Sequence, residues 1–278
     1  MSAQEKLPSS SAKSAFIERK EQEFIKKINS FSSRHRTFQV FRDFIALSAR
    51  MISNQMVYFS QELEDEYLQT IKGYAKEEAS LFAELYALVF SVLAQGNFTD
   101  FLGNCYMKLE LGNDKHGQFF TPFHICQLLT IVSAGNDLAE TLNNSQQKFI
   151  ALSEPCCGAG AMIIAFAENM MNNHIDISQH LYVQGTDIDP MVAEMCYIQC
   201  TLLGIPAHIH IGDSLSLKIS RTYATPVLRG YNWMSRLNAH FETGSIEPDS
   251  PDPITISPAL DKAKVIKPIA KSEQIVLF

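Results

Sequence analysis

Phe149-Ile-Ala-Leu-Ser-Glu-Pro-Cys-Cys-Gly-Ala-Gly-Ala-Met-Ile-Ile-Ala-Phe166 is the stretch that decides the fold. Its first five residues form a short apolar run halted by a proline- and glycine-containing turn, which predicts a buried strand over 149–153. From Ala161 to about Met171 the chain is apolar for long enough to make a helix. Between them, Gly158 and Gly160 let the backbone turn tightly and approach a ligand with no side chain in the way. Downstream, Leu181–Asp187 (LYVQGTD) predicts a second strand, Met191–Leu203 a helix, and Ala207–Ile211 (AHIHI) a third strand. That βαβαβ alternation requires parallel strands with right-handed crossovers and places ligand loops at the carboxyl ends of the strands.

Upstream, from about residue 13 to 110, apolar residues recur at three and four spacing in FIERKEQEFIKKI, FQVFRDFIALSARMI and SLFAELYALVFSVLA, so this part is predicted helical. A helix stop is expected near Gln95, Gly96 and Asn97, with the next helix capped by Thr99 or Asp100. Beyond about residue 243, Pro248, Pro251, Pro253, Pro258 and Pro268 interrupt a stretch with little periodic pattern, which reads as a flexible tail. The expected organisation is a helical N-terminal domain over 1–110, a ligand-binding α/β domain over 111–243, and a proline-rich tail over 244–278.

At 278 residues the chain is long enough for a substantial core, and 46% hydrophobic with 19% charged residues excludes disorder as a description of the whole. No apolar run approaches the roughly 18 residues of a membrane span. The first residues, MSAQEKLPSSSAKSAF, lack the apolar core of a secretory signal, so a cytoplasmic location is expected. Net charge is −7, but residues 151–200 hold six acidic and no basic groups, a composition suited to a neutral or cationic ligand. Lys218, Arg221, Arg229 and Arg236 follow without a carboxylate between 214 and 240, a composition suited to phosphate.

A dinucleotide fingerprint would need a third glycine where Ile163 stands, so the turn alone does not name the ligand. Asp187, at the end of the second strand in GTDIDP, can accept both ribose hydroxyls of a nucleoside, and Asp213, in GDSL after the third strand, can accept from an adenine amine. Both aspartates are equally suited to capping the helix or turn that follows them.

The run resembles the S-adenosylmethionine domain of N6-adenine DNA methyltransferases, most closely the modification subunit of type I restriction systems. EPCCGAG is similar to the family's cofactor loop, GTDIDP to its ribose acid, and GDSL to its adenine-contacting aspartate. Upstream, DFLGNCYMKLELGNDKHGQFFTP is similar to the family's linker helix and G-x-F-x-T-P segment, which lies over the methionine end of the cofactor. The resemblance covers about residues 100–215 and implies a Rossmann-like methyltransferase domain with a shortened parallel sheet. It implies cofactor contacts from Gly117, Phe119, Thr121, Pro122, Glu154, Gly158, Gly160, Asp187 and Asp213, with DNA as the substrate.

Methylating adenine N6 requires polarising an amine whose lone pair is delocalised into the ring, which the family does with an (Asn/Asp/Ser)-Pro-Pro-aromatic segment. This sequence contains no Pro-Pro pair, and Thr225-Pro226 is the nearest candidate by position. Two roles therefore stand at this point: methyl transfer to adenine in DNA, with a partner subunit or another segment supplying the acceptor groups, or a catalytically inactive S-adenosylmethionine-binding regulator associated with DNA. Lys218 to Arg236 interleaves basic residues with Tyr223, Tyr231 and Trp233. That composition suits unstacked bases and phosphates, making Lys218, Arg221, Arg229, Tyr231, Trp233 and Arg236 candidate DNA contacts; the other role open to these aromatics is closing the sheet. An exposed sheet edge also predicts a second subunit or a homodimer. The terminal Gln274-Ile-Val-Leu277-Phe278 is similar to peptides that dock on the bacterial sliding clamp, and equally suited to adding a strand to a sheet. Cys156 and Cys157, Cys196 and Cys200, and His208 and His210 complete no zinc spacing, so the cysteines are expected as small buried hydrophobes and no metal is expected.

Overall fold

The computed structural model describes residues 10–31, 34–109, 111, 120–134, 138–145, 147–243 and 274–276. Gly117 and Phe119, like Leu277 and Phe278, lie outside the described residues.

Five helices precede the ligand-binding part: α1 (Ser10–Ile28), α2 (Thr37–Ile52), α3 (Gln61–Ile71), α4 (Lys76–Leu93) and α5 (Phe101–Lys108). The three apolar periodicities read from the sequence lie in α1, α2 and α4. α4 stops where expected, before Gly96 at φ 74°, and α5 begins behind Asp100, whose carboxylate accepts from the Gly103 amide. Then come α6 (Phe123–Ala134) and α7 (Leu138–Asn144), and after them the alternation β1 (Ile150–Glu154), α8 (Ala161–Asn172), the one-turn α9 (Ile177–His180), β2 (Leu181–Asp187), α10 (Pro190–Leu202) and β3 (Ala207–Asp213). The strands and crossover helices expected from period and turn chemistry are all present, and their boundaries shift by one or two residues.

The sheet carries more than those three strands. β4 (Lys218–Ala224) runs antiparallel beside β3, a 3-10 turn (Pro226–Arg229) leads to α11 (Trp233–Thr243), and β5 (Gln274–Val276) lies parallel to β1, giving the order β4-β3-β2-β1-β5. Two readings are corrected here. Part of the proline-rich tail is a strand, and Gln274, the first residue of the clamp-like peptide, lies in it, with Gln274 opposite Ala151 and Val276 opposite Ser153. Backbone groups satisfied by β1 are not available to an extended peptide laid in another protein's groove, so the sliding-clamp reading is withdrawn.

Ile150, Leu152, Leu181, Val183 and Ile209 point to the face covered by α8 and α10, and this core continues without a break into α1, α2, α4 and α5. On the opposite face Phe149, Ala151 and Tyr182 meet Trp233, Leu237 and Leu228. α2 is fastened to α10 by charge as well as by apolar packing. Arg50 bonds Glu194 at 3.0 Å and Glu66 at 2.7 Å, the Tyr223 hydroxyl donates to Glu194 at 3.0 Å, and Arg221 of β4 holds both oxygens of Glu66. Burial pushes the Glu194 carboxyl up, and Arg50 and Tyr223 oppose that shift, so breaking the set costs more than its formation gains.

Leaving β1, the chain turns toward β2 and returns on the other side of β1 at β5. The crevice at the carboxyl end of β1 is therefore a topological switch point, the position at which open α/β sheets bind ligands.

Candidate functional site

The turn after β1 is built by three anchors. Gly158, at φ 53°, donates its amide to Asp187 Oδ2 at 2.8 Å. Cys157 donates its amide to the Thr186 carbonyl at 2.9 Å, fastening the turn to β2. Gly160, at φ 97°, lies against α10 so closely that a Cβ there would sit 2.9 Å from Cys196 Sγ. Glycine is required at 160 for conformation and for space, and at 158 for conformation.

Asp187 ends β2 and accepts from two loop amides, Gly158 on Oδ2 and Asp189 on Oδ1. A carboxylate offers about four acceptor positions, so capacity remains for a hydroxyl donor. Burial pushes its pKa up, and the amide bonds only partly offset this. Glu154, buried behind the same turn, accepts from the Cys156 amide at 3.2 Å. Burial, with the charge of Asp187 as a smaller contribution, pushes its carboxyl up to about 8.

Opposite this floor stands Phe120, whose ring would lie 3.5 Å from a Cβ on Gly158 and whose other side meets Tyr106 of α5, ring centroids 5.4 Å apart. Thr121 and Pro122 follow, and the Pro122 carbonyl accepts the Ile125 and Cys126 amides as α6 begins. Phe120, Thr121, Gly158, Met162, Asp187 and Val192 thus share the wall of one cleft of about 220 Å³. The lining includes a carboxylate and no cationic side chain among the described residues, which suits a ligand carrying positive charge.

Of the residues singled out in the sequence, Thr121, Gly158 and Asp187 line the cleft, Glu154 and Gly160 form the turn behind it, and Pro122 is exposed at its rim. Asp213 lies at the same edge of the sheet, on the neighbouring strand. It caps its own turn, accepting from the Leu215 amide at 2.9 Å and the Ser216 hydroxyl at 2.8 Å, and these bonds, the hydroxyl first, hold its pKa below the usual carboxylate range. The sequence reading passed over Phe120, Met162 and Val192, and also Ile188, which is 74% exposed directly after Asp187. An apolar residue in the middle of the polar turn GTDIDP was the available signal.

The remaining candidates sit elsewhere. Thr225 is fully buried at the amino-terminal end of β3, the edge opposite the cleft, where its hydroxyl donates to the Ile205 carbonyl and accepts from the Ala207 amide, each at 2.8 Å; Pro226 opens the 3-10 turn beside it. Arg221 is held by Glu62 and Glu66, and Arg229 donates to the Met56 and Val57 carbonyls. Arg236 donates to the Gln179 carbonyl and lies over the Trp233 ring at 4.2 Å. Trp233 itself is buried, its Nε1 donating to the Ser178 carbonyl at 2.8 Å. Lys218 and Tyr231 are exposed. The basic-aromatic stretch therefore closes and fastens the sheet with most of its groups. His208 meets the Tyr182 hydroxyl at 2.9 Å and His210 the Thr222 hydroxyl at 2.8 Å on the β4 side. Five of the six cysteines are buried as expected, but Cys156 is exposed at the cleft. No group of His, Cys, Asp or Glu among the described residues is arranged to hold a metal, and no helix among them is long and apolar enough to cross a membrane.

The stretch that builds the cleft lies within a match to a known family. Residues 99–227 match the family model described as N-6 DNA Methylase. The chain is similar to a type I restriction enzyme methylase subunit, MjaIX, of Methanocaldococcus jannaschii, with 23% identity over 141 residues, covering 49% of this chain and 22% of that protein. It thus spans only about a fifth of that relative's length. Among solved structures, a type I restriction-modification system methyltransferase subunit from Streptococcus thermophilus aligns with a TM-score of 0.38 at 14% identity, covering 73% of this chain and 59% of that one. A candidate class I S-adenosylmethionine-dependent methyltransferase from Listeria monocytogenes aligns with a TM-score of 0.40 at 13% identity, covering 74% and 55%.

Proposed function

We propose that the cleft at the carboxyl end of β1 binds S-adenosylmethionine, the cofactor implied by the N-6 DNA methylase family whose model residues 99–227 match, for methyl transfer to the exocyclic amine of adenine in DNA. The single observation that carries the proposal is the turn itself: two positive-φ glycines, one tied to the carboxylate that ends β2, at the switch point of the sheet.

The residues fit the group. Asp187 keeps acceptor capacity for the ribose hydroxyls, and exposed Ile188 offers an apolar surface to the adenine ring. Phe120 and Thr121 close over the turn toward the methionine end. S-adenosylmethionine, when bound, supplies an electrophilic methyl group on a sulfonium centre. Asp187 places negative potential on that side of the cleft, and Glu154, pushed up to about 8 by burial, would ionise as a cation binds, so the two carboxyls favour a cation over a neutral thioether. That preference discriminates the reactant from the demethylated product, so the same carboxylates assist product release.

The acceptor side is the open half of the reading. Deprotonating or polarising adenine N6 needs a hydrogen-bond acceptor beside the transferred methyl, and a flipped base needs a ring to stack on. This sequence has no Pro-Pro pair, and Thr225-Pro226 stands at the far edge of the sheet. We therefore assign the acceptor groups to a partner subunit or to another segment that lacks the Pro-Pro signature. The test is incubation with tritium-labelled S-adenosylmethionine and unmethylated duplex DNA, alone and with bacterial extract, followed by nucleoside analysis. Label in N6-methyladenine, lost in Asp187→Asn, supports the full proposal. Cofactor binding with no label in either condition selects the inactive, regulatory reading. Absence of cofactor binding overturns both.

A further inference from the structure

Gln199 lies on the inner face of α10, fully buried, and takes no part in the cleft lining. Its amide nitrogen donates to the Ala159 carbonyl in the turn after β1 and to Asp100 Oδ1, both at 2.8 Å, and its amide oxygen accepts from the Leu102 amide at 3.0 Å. Three of the four hydrogen bonds an amide side chain can make are formed, all to groups with no access to water. One side chain thus joins the middle of the ligand turn to the first turn of α5.

α5 carries Tyr106, whose ring packs on Phe120, and Phe120 lies over Gly158. Gln199 holds the floor of the cleft from below through Ala159, and the opposite wall from behind through α5. We infer that Gln199 is a positioning residue that couples these two walls, fixing the turn in its ligand-accepting form. The inference rests on the proposed cofactor reading for its consequence, but the coupling itself is a property of the chain.

The substitution Gln199→Glu separates this role from simple packing. The two side chains have the same shape, but both groups facing Nε2 are acceptors, Asp100 Oδ1 and the Ala159 carbonyl. An ionised glutamate would set two carboxylates against each other in a buried space, where both cannot stay charged. Protonation restores one donor, so the variant should regain order as pH falls, which no volume effect would do. Gln199→Met, similar in size and without polar atoms, supplies the pH-independent control.

Amide exchange protection of residues 157–160 is measured in the intact chain from pH 6 to 8.5, and S-adenosylmethionine affinity by titration over the same range. In Gln199→Glu we expect protection of the turn to fall about tenfold or more at pH 8.5 and to recover toward pH 6, with affinity following; in Gln199→Met the loss should persist at every pH. Protection and affinity equal to wild type in both variants, with only the melting temperature lowered, would overturn the inference. Should the wild-type chain bind no S-adenosylmethionine while the pH-dependent loss of protection remains, the cofactor reading falls and the positioning role stands.

Discussion

Gly160→Ala tests the construction of the ligand turn at its tightest point. The position has φ 97°, and a Cβ there would approach Cys196 Sγ to 2.9 Å, with Cys196 Cα and Cβ at 3.5 Å. Holding an L residue in left-handed backbone costs about 1–2 kcal/mol. Forcing a methyl into a packed contact costs typically about 1–3 kcal/mol more. The expected loss is therefore about 2–5 kcal/mol, read by urea denaturation as a lower midpoint with an unchanged slope. The steric part has one identifiable partner, so Cys196→Ala should relieve it while leaving the conformational part. The double-mutant cycle is expected to show a favourable coupling of about 1–2 kcal/mol. Gly158→Ala is the comparison, because φ is 53° there and the nearest atoms, in the Phe120 ring, lie 3.5 Å away, so only the conformational cost of about 1–2 kcal/mol applies. A Gly160→Ala variant as stable as Gly158→Ala, or a cycle with no coupling, would refute the reasoning.

The other expectations concern charge. Burial raises Glu154 from 4.5 to about 8, so its contribution is fully present below pH 4.5 and is lost as pH rises toward 8; Glu154→Gln should therefore gain on wild type across that window, by at most about 1.4 kcal/mol per pH unit in chemical denaturation. Burial lowers His208 to about 3 and His210 to about 4, so the unfolded chain takes up protons first, and relative to a His208→Gln, His210→Gln variant the wild type should lose stability as pH drops below about 6.5, levelling only near pH 3; identical acid limbs in the two would contradict their neutral burial. Binding of a cation beside Asp187 and Glu154 favours ionised Glu154, so titrations between pH 6 and 8 in buffers of different ionisation enthalpy should report proton release, abolished by Glu154→Gln. Arg221→Met removes the bonds to Glu62 and Glu66 and should cost about 1–2 kcal/mol; full stability together with weakened DNA binding would instead make Arg221 a nucleic-acid contact.

The βαβαβ core was legible because its apolar runs were short, bounded by glycine or proline, and separated by helical stretches of uniform apolar character. β4 was harder to see because KISRTYA does not alternate cleanly: Arg221 stands between Ile219 and Tyr223 at a position that period-2 reading expects to be apolar. Its charge is tolerated only because Glu66 arrives from a helix over 150 residues away in sequence. β5 was legible only as one of two roles open to the terminal peptide: three residues after a proline-rich stretch carry no periodicity, and the open side of β1 is what selects the strand. In the site, glycines and strand-end carboxylates announced themselves by residue type. Phe120 and Gln199 did not, because their roles follow from which elements fold over the turn.

The most direct test of the central claim is isothermal titration of the intact chain with S-adenosylmethionine, with Asp187→Asn as the comparison. The account predicts saturable one-site binding, accompanied by a rise in thermal stability of about 2.7 kcal/mol at a hundredfold excess over Kd, and both weakened in the variant. No heat and no stabilisation in the wild-type chain, with the protein folded, would contradict it.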